Sequence, residues 1–307
     1  MLDVEPLDVE PLEVEPLDVV ALVVTYNSAR HLPGLFDSFE RGFVGVDRWA
    51  VVVADNASSD ESVAIARARG ARVVATGRNG GYAAGLNAAA GAAPAARARL
   101  VLNPDVELSE HCVGRLARAL ERRGVGIAVP RLVGPDGTLR WSLRRDPTVL
   151  RAFGEAFLGG ERAGRVAALG ELVVDEDRYR RSGPVDWATG AAMLVSSACW
   201  EAVGAWDERF FLYSEETDFA IRARRAGFDV WYEAMASVGH TEGESHTSER
   251  LAAILASSRV RCFAKHHGRV RAFAFRLAVV VNEAIRAAAG RRTSRAALRQ
   301  LLRADRP

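Results

Sequence analysis

The sequence predicts an α/β fold with a mostly parallel central sheet flanked by helices, and three observations carry that prediction. Short apolar runs alternate with helical segments along residues 19–122, the spacing that parallel strands and their crossover helices require. The runs are continuously apolar, as strands buried on both faces must be. Each run also ends in a polar loop, the place where open α/β sheets take their ligands.

Residues 19–25 read as the first strand, and 31–43 carry helical spacing. A second strand over 49–54 leads into a helix over 59–69, with Ser58 or Ser59 as its cap. A third, short strand spans 71–75, followed by an alanine-rich helix over 82–93. The fourth strand is 100–102; Pro104 cannot donate to a sheet ladder, so the strand stops there and leaves Asp105 at its carboxyl end. A helix over 109–122 comes next, for which Asp105 or Ser109 would be an ordinary cap. After the strand-like run 125–133, Gly134-Pro135-Asp136-Gly137 reads as a turn. Residues 144–183 are arginine- and glycine-rich and read as irregular, a variable acceptor or lid region. Sheet returns over 186–196, then a helix over 215–226, a strand over 228–232 and helices throughout 248–304.

Three regions follow. Residues 1–18 repeat an acidic pentapeptide, with a proline closing each of its first three copies, and are expected to form a disordered or extended tail. Residues 19–246 form the expected catalytic domain and 247–307 a helical extension. The net charge of the 307 residues is only +2, so no broad field draws a nucleic acid. Cys112, Cys199 and Cys262 are odd in number and far apart, which supports neither a zinc knuckle nor a disulfide framework and fits a reducing cytoplasm. No apolar run approaches the roughly 20 residues that span a bilayer. The run 272–281, interrupted by Arg276 and flanked by arginines, is a basic amphipathic pattern. Such a helix lies on an anionic membrane surface, at the inner face of the cell membrane, or packs on the main domain, and the pattern allows both. Assembly into a homo-oligomer through these helices is equally compatible.

Four loops place polar residues after apolar strands: Thr25-Tyr26-Asn27, then Asp55-Asn56, then Arg78-Asn79-Gly80-Gly81, then Asn103-Pro104-Asp105. Each alone has a bland explanation as a turn or cap. In a parallel sheet all four share one edge and one ligand. Asp55 is suited to accept the ring N–H of uracil or thymine, Gly80 and Gly81 to let backbone approach a ligand, and Asn103 with Asp105 to hold ribose and a metal-bound diphosphate. No G-x-G-x-x-G follows the first strand and no P-loop exists, which argues against a dinucleotide fold and a P-loop nucleotidase. Farther on, Trp187-Ala188-Thr189-Gly190-Ala191 sets an aromatic and a hydroxyl beside a glycine turn. Phe210-Phe211-Leu212-Tyr213-Ser214 then runs into Glu215, Glu216 and Asp218. Three acids at a helix start suit the helix dipole, but an acid beside apolar walls also gains the raised pKa of a general base. His240 ends a sheet segment where a metal or diphosphate role is credible.

Together these pieces resemble the family-2 glycosyltransferases of the GT-A fold, most closely their rhamnosyltransferase-like branch, over about residues 19–245. The resemblance rests on V-V-T-Y-N, V-A-D-N-A-S-S-D, R-N-G-G-Y-A-A-G-L-N, L-N-P-D, W-A-T-G-A and F-F-L-Y-S-E-E-T-D-F-A-I-R in this order. It implies inverting transfer from a nucleotide-diphosphate sugar, usually with Mg²⁺ or Mn²⁺. Thr25 and Asp55 would bind the nucleoside, and Asp105 would hold the metal where the family has D-x-D, with Asn103 replacing the first acid. Glu215-Glu216 matches the family's Glu-Asp pair, which makes Glu216 the expected base and Asp218 the second candidate. His240 would assist the metal, and Trp187, Thr189, Gly190 and Tyr213 would shape the acceptor pocket. The expected donor is dTDP-rhamnose, with UDP-hexoses open; the acceptor is a saccharide or a lipid-linked saccharide in cell-surface polysaccharide synthesis. A nucleotidylyltransferase is disfavoured, because no glycine-rich loop with arginine and a phosphate-binding lysine follows Thr25. The remaining alternative is a degenerate sugar-nucleotide-binding scaffold.

Overall fold

The computed structural model describes residues 15–240 and 248–303, so most of the acidic repeat and the loop containing Gly243, Ser245 and His246 lie outside the described residues. The strands are β1 (Leu17–Thr25), β2 (Trp49–Asp55), β3 (Arg72–Ala75), β4 (Ala96–Leu102), β5 (Val106–Leu108) and β6 (Val125–Val133). They continue with β7 (Leu139–Arg140), β8 (Leu143–Arg144), β9 (Gly183–Val185), β10 (Trp187–Ala188), β11 (Ala192–Ser196) and β12 (Asp229–His240). The helices of the first half are α1 (Leu32–Asp37), α2 (Phe39–Gly42), α3 (Ser62–Ala68), α4 (Tyr82–Ala92), α5 (Cys112–Leu120) and α6 (Val149–Leu158). Those of the second are α7 (Gly160–Gly164), α8 (Glu176–Tyr179), α9 (Ser197–Val203), α10 (Glu215–Arg225), α11 (Glu249–His266), α12 (Arg269–Ala288) and α13 (Arg292–Arg303).

The main sheet runs β3-β2-β1-β4-β11-β6-β12-β5. Its first four strands are mutually parallel, so the four polar loops share one edge. β11 enters antiparallel between β4 and β6, and β12 pairs parallel with β6 but antiparallel with β5, so the sheet is mixed. Successive β1 side chains point to opposite faces. Val19, Ala21 and Val23 join α1, α2 and α5 in one core, while Val20, Leu22 and Val24 join Leu86, Trp200 and Phe219 in the other. Burial on both faces is the reason the strand reads as an unbroken apolar run.

Several elements differ from the sequence expectation for local reasons. The helix expected over 31–43 breaks at Ser38, whose hydroxyl donates to the Leu35 carbonyl at 2.6 Å and accepts from Leu108 N at 3.0 Å. α3 starts at Ser62 because Asp60 takes its N–H, while Ser58 and Ser59 bond to Asn27 and cap nothing. α5 starts at Cys112, because Val106–Leu108 is drawn out to pair with β12. Its cap residue is His111 at φ 60°, with no side-chain bond, so neither Asp105 nor Ser109 caps it. β12 runs on to His240; irregular pairing between Glu233 and Ser237 hides its continuity in the sequence.

The largest difference concerns 144–183. This stretch contains α6, opened by the Thr148 hydroxyl accepting from Arg151 N, and α6 packs on the carboxyl-terminal helices. Ala152, Ala256, Phe263, Phe275, Ala278, Val279, Ala297 and Leu301 make one core, so α6 and α11–α13 form a single helical layer. Arg259 bonds Glu155 at 3.0 Å and Glu171 at 2.8 Å inside it. Among the described residues no helix is long and apolar enough to cross a membrane.

Candidate active site

The loops after β1, β2 and β3 are laced to one another. Thr25 and Asp55 are register partners at the ends of β1 and β2, and the Thr25 hydroxyl donates to Asp55 at 3.1 Å. The other Asp55 oxygen accepts from Ser58 N at 3.0 Å. Asn27, held at φ +53°, accepts from Ser59 N at 2.8 Å, and its own N–H donates to Ser58. Asn56 is 2% exposed; its amide donates to the Gly81 carbonyl at 2.9 Å and its oxygen accepts from Thr76. Asn56 therefore joins the second loop to the third. Tyr26 and Arg78 stand exposed at the rim. Gly80 is half-buried, and Gly81 serves a close approach within the protein. At φ +94° a Cβ on Gly81 would lie 2.3 Å from the Phe211 carbonyl oxygen, and Tyr82 N donates to that same oxygen at 2.8 Å. The start of α4 is thus seated on the segment that leads into α10.

That segment ends in two consecutive residues with positive φ, Tyr213 at 68° and Ser214 at 69°. Backbone of this kind in bulky residues is strained, and here it turns the chain into the acid-bearing end of α10. Glu215, Glu216 and Asp218 leave this turn in different environments. Asp218 is fully buried in a cationic socket, with Arg222 at 2.9 Å and Lys265 and His266 each at 2.7 Å. Burial would raise its carboxyl, but hydrogen bonds from His266 and Lys265, with the Arg222 charge, hold it down at about 2. A carboxylate so held is a poor proton acceptor, which counts against Asp218 as the second candidate base, and it clamps α10 to α11. Glu215 is buried, one oxygen has no partner, and burial with the neighbouring Glu216 lifts its pKa well above the usual range. Glu216 is half-buried, also with one unpartnered oxygen; burial raises its pKa, against hydrogen bonds that include one from Gly190 N–H. A Cβ on Gly190 would lie 3.2 Å from that of Glu216, so this position keeps the two segments close.

Glu216 lines a cavity of about 450 Å³ with Trp187, Thr189, Tyr213 and His240. The Trp187 indole donates to the Arg145 carbonyl, and Thr189 is tied to the Ser142 carbonyl, so both walls are fixed. Asn103 N donates to Ala191 O, which brings the turn after β4 against the same wall. Asp105 lies beside His240, with Oδ2 3.4 Å from Nε2. One oxygen and one imidazole donor at this separation fit a Mn²⁺ or Mg²⁺ ion whose other ligands are phosphate oxygens and water. Among the described residues no cluster of three or more His, Cys, Asp or Glu is placed to hold an ion without such help.

Sequence reasoning missed four contributors. The Tyr82 hydroxyl is buried without a partner, and burial followed by the charges of Glu215, Glu216 and Asp105 pushes its pKa well up. It ends a loop already singled out, so its position was readable. Ser142, 2% exposed with an unpartnered hydroxyl, and Arg144 line the cavity beside Glu216. Ser142 comes from a stretch without sequence signal, whereas Arg144 opens the arginine-rich region expected to face an acceptor. Burial lowers the His31 pKa; Asp105 raises it and Arg30 and His240 lower it further, so His31 shares the field of the Asp105–His240 pair.

Residues 20–169 match the family described as "Glycosyl transferase family 2". The chain is 29% identical over 241 residues to the N-acetylglucosaminyl-diphospho-decaprenol L-rhamnosyltransferase of Mycobacterium tuberculosis, covering 73% of this chain and 76% of that one. It is 28% identical over 213 residues to the low-salt glycan biosynthesis hexosyltransferase Agl10 of Haloferax volcanii, covering 68% and 62%. Its fold matches the mannosyltransferase PcManGT of Pyrobaculum calidifontis, solved with GDP-Man and Mn²⁺, at a TM-score of 0.56 and 18% identity, over 96% of this chain and 82% of that one. GalNAc-T7, solved with UDP, GalNAc and Mn²⁺, matches at 0.55 and 14% over 81% of this chain, which spans about half (48%) of that protein.

Proposed function

We propose that this chain is a family-2 glycosyltransferase and that it moves L-rhamnose from dTDP-rhamnose to a hydroxyl of a lipid-linked saccharide, with inversion at the anomeric carbon. The observation that carries the reading is Glu216: a carboxylate with a free oxygen, a raised pKa and a place in the same cavity as His240. The sugar and the lipid-linked acceptor follow the mycobacterial relative's name. A cytoplasmic location is part of the same reading.

Glu216 takes the proton of the acceptor hydroxyl while that oxygen attacks the anomeric carbon, and the nucleoside diphosphate leaves from the opposite face. Burial makes Glu216 a stronger base than an exposed carboxylate, and the Gly190 N–H fixes its direction. Trp187, Thr189 and Tyr213 hold the acceptor sugar, and the buried walls exclude competing water. Thr25, Asp55 and the loop around Arg78 take the nucleoside, with remaining lone pairs on Asp55 for the base ring. Asp105 and His240 would hold the Mg²⁺ or Mn²⁺, which neutralises charge on the departing diphosphate when bound.

In Glu216→Gln, transfer of labelled sugar falls by at least about a hundredfold while calorimetric donor affinity stays within about twofold of wild type. Wild-type-like turnover would remove Glu216 from the role. The metal assignment is read separately: Asp105→Ala weakens Mn²⁺ binding in a direct titration of the protein with donor diphosphate. Unchanged Mn²⁺ affinity would sink it.

A further inference from the structure

α12 is apolar on two sides. Phe275, Ala278 and Val279 enter the helical core, whereas Val270, Phe273, Leu277 and Ile285 face outward, the first two 84% and 71% exposed. Their spacing of three, four and eight residues sets them in one stripe along the helix. α6 packs beside α12 and adds Leu150, Phe157 and Leu158, with Phe153 stacked on Phe157 at 6.3 Å. Exposed arginines border this face: Arg269 and Arg271 at the start of α12, Arg291 and Arg292 beyond its end, Arg162 and Arg165 after α6. Residues 249–303 hold thirteen basic side chains and two acidic ones, against a net charge of +2 for the whole chain.

Exposed apolar side chains gathered along neighbouring helices and rimmed by charge mark an interaction surface, unlike apolar residues scattered singly. Self-association is opposed by charge, because a two-fold interface brings two copies of the same arginine-bordered face together, with few acids to pair them. An anionic bilayer satisfies both features, with the stripe entering the acyl boundary and the guanidinium groups meeting headgroups. The acceptor cavity runs beneath this helical layer: Gly160, two residues beyond Leu158, lines its wall together with Leu255 and the inward-facing Phe275. We propose that the outward faces of α6 and α12 dock on an anionic lipid bilayer and bring the mouth of the acceptor cavity to its surface. The docking stands on the face alone; the role of the cavity mouth rests on the lipid-linked acceptor proposed above.

The test is flotation of the full chain with phosphatidylcholine vesicles, with and without phosphatidylglycerol, together with sedimentation velocity. Wild type floats with the phosphatidylglycerol vesicles and is released by salt. The double variant Phe157→Asp/Phe273→Asp, both at exposed positions, keeps the wild-type melting temperature but loses at least about tenfold in vesicle affinity. Its transfer to a short-chain, water-soluble acceptor is unchanged, while transfer to a vesicle-embedded acceptor falls. Failure of wild type to float, or equal flotation of the variant, overturns the proposal. A dimer that the double variant dissolves, without vesicle binding, overturns it in favour of a second copy. Flotation lost in the variant but with neither acceptor glycosylated supports docking and removes the transferase reading instead.

Discussion

At the loops after β1 and β2, Thr25, Asn27, Asp55 and Asn56 direct their polar atoms at neighbouring protein groups; at the starts of α4 and α10, Tyr82, Glu215 and Glu216 each keep a buried oxygen without a partner. The first region is a finished hydrogen-bonded frame, whose contribution to a ligand is shape and a few remaining lone pairs. The second carries a standing electrostatic cost, which a substrate hydroxyl or an added proton relieves. Asp218 sharpens the contrast from inside the second region, because two residues beyond Glu216 it is as completely bonded as anything in the first.

Removing that internal control has the largest expected effect on stability. Asp218→Asn strips a buried carboxylate from Arg222, Lys265 and His266 and costs about 3 kcal/mol in denaturant unfolding at pH 7. The Asp218 pKa is depressed from 3.8 to about 2 on folding, so its contribution is fully present above the unfolded value and lost as pH falls through 2. The gap between variant and wild type should close over that interval; a constant gap would show the socket does not depend on ionisation. Asn56→Ala comes next, at about 2 kcal/mol, because it removes the strut between the second and third loops with its two hydrogen bonds, to the Gly81 carbonyl and from the Thr76 hydroxyl. Donor affinity falls with it in calorimetry; full stability would mean that the frame is redundant. The smallest effect has the opposite sign. The folded Glu215 pKa lies above its unfolded value, so wild type loses stability as pH rises beyond the ordinary glutamate range. Glu215→Gln does not titrate, so its melting temperature relative to wild type should be higher at pH 8 than at pH 4. The reverse ordering would place Glu215 among the satisfied acids.

What was legible in the sequence was local. An apolar run that stops at a polar turn reports a buried strand and its carboxyl end, so the parallel strands and their four loops could be placed in order. Glu216 was singled out because it stands in a recognisable acid turn. The socket around Asp218 was not legible because Lys265 and His266, which neutralise it, lie on α11, 48 residues away in the case of His266. The only lysine of the chain is one of these partners, and bridges Asp207 to Asp218. The direction of β11 and the partnership of α6 with α12 depend equally on distant packing. Two glycines expected to admit a ligand instead include one, Gly81, that admits Phe211.

That contact also bears on which lengths of chain can change. The backbone at Gly81 touches the backbone at Phe211, so residues 76–82 and 210–215 act as paired spacers of fixed length. One residue inserted into either would part the start of α4 from the acid turn and pull Glu216 off the Gly190 N–H. The exposed turn 135–138 touches neither spacer, and insertions in the catalytic sheet are best accommodated there.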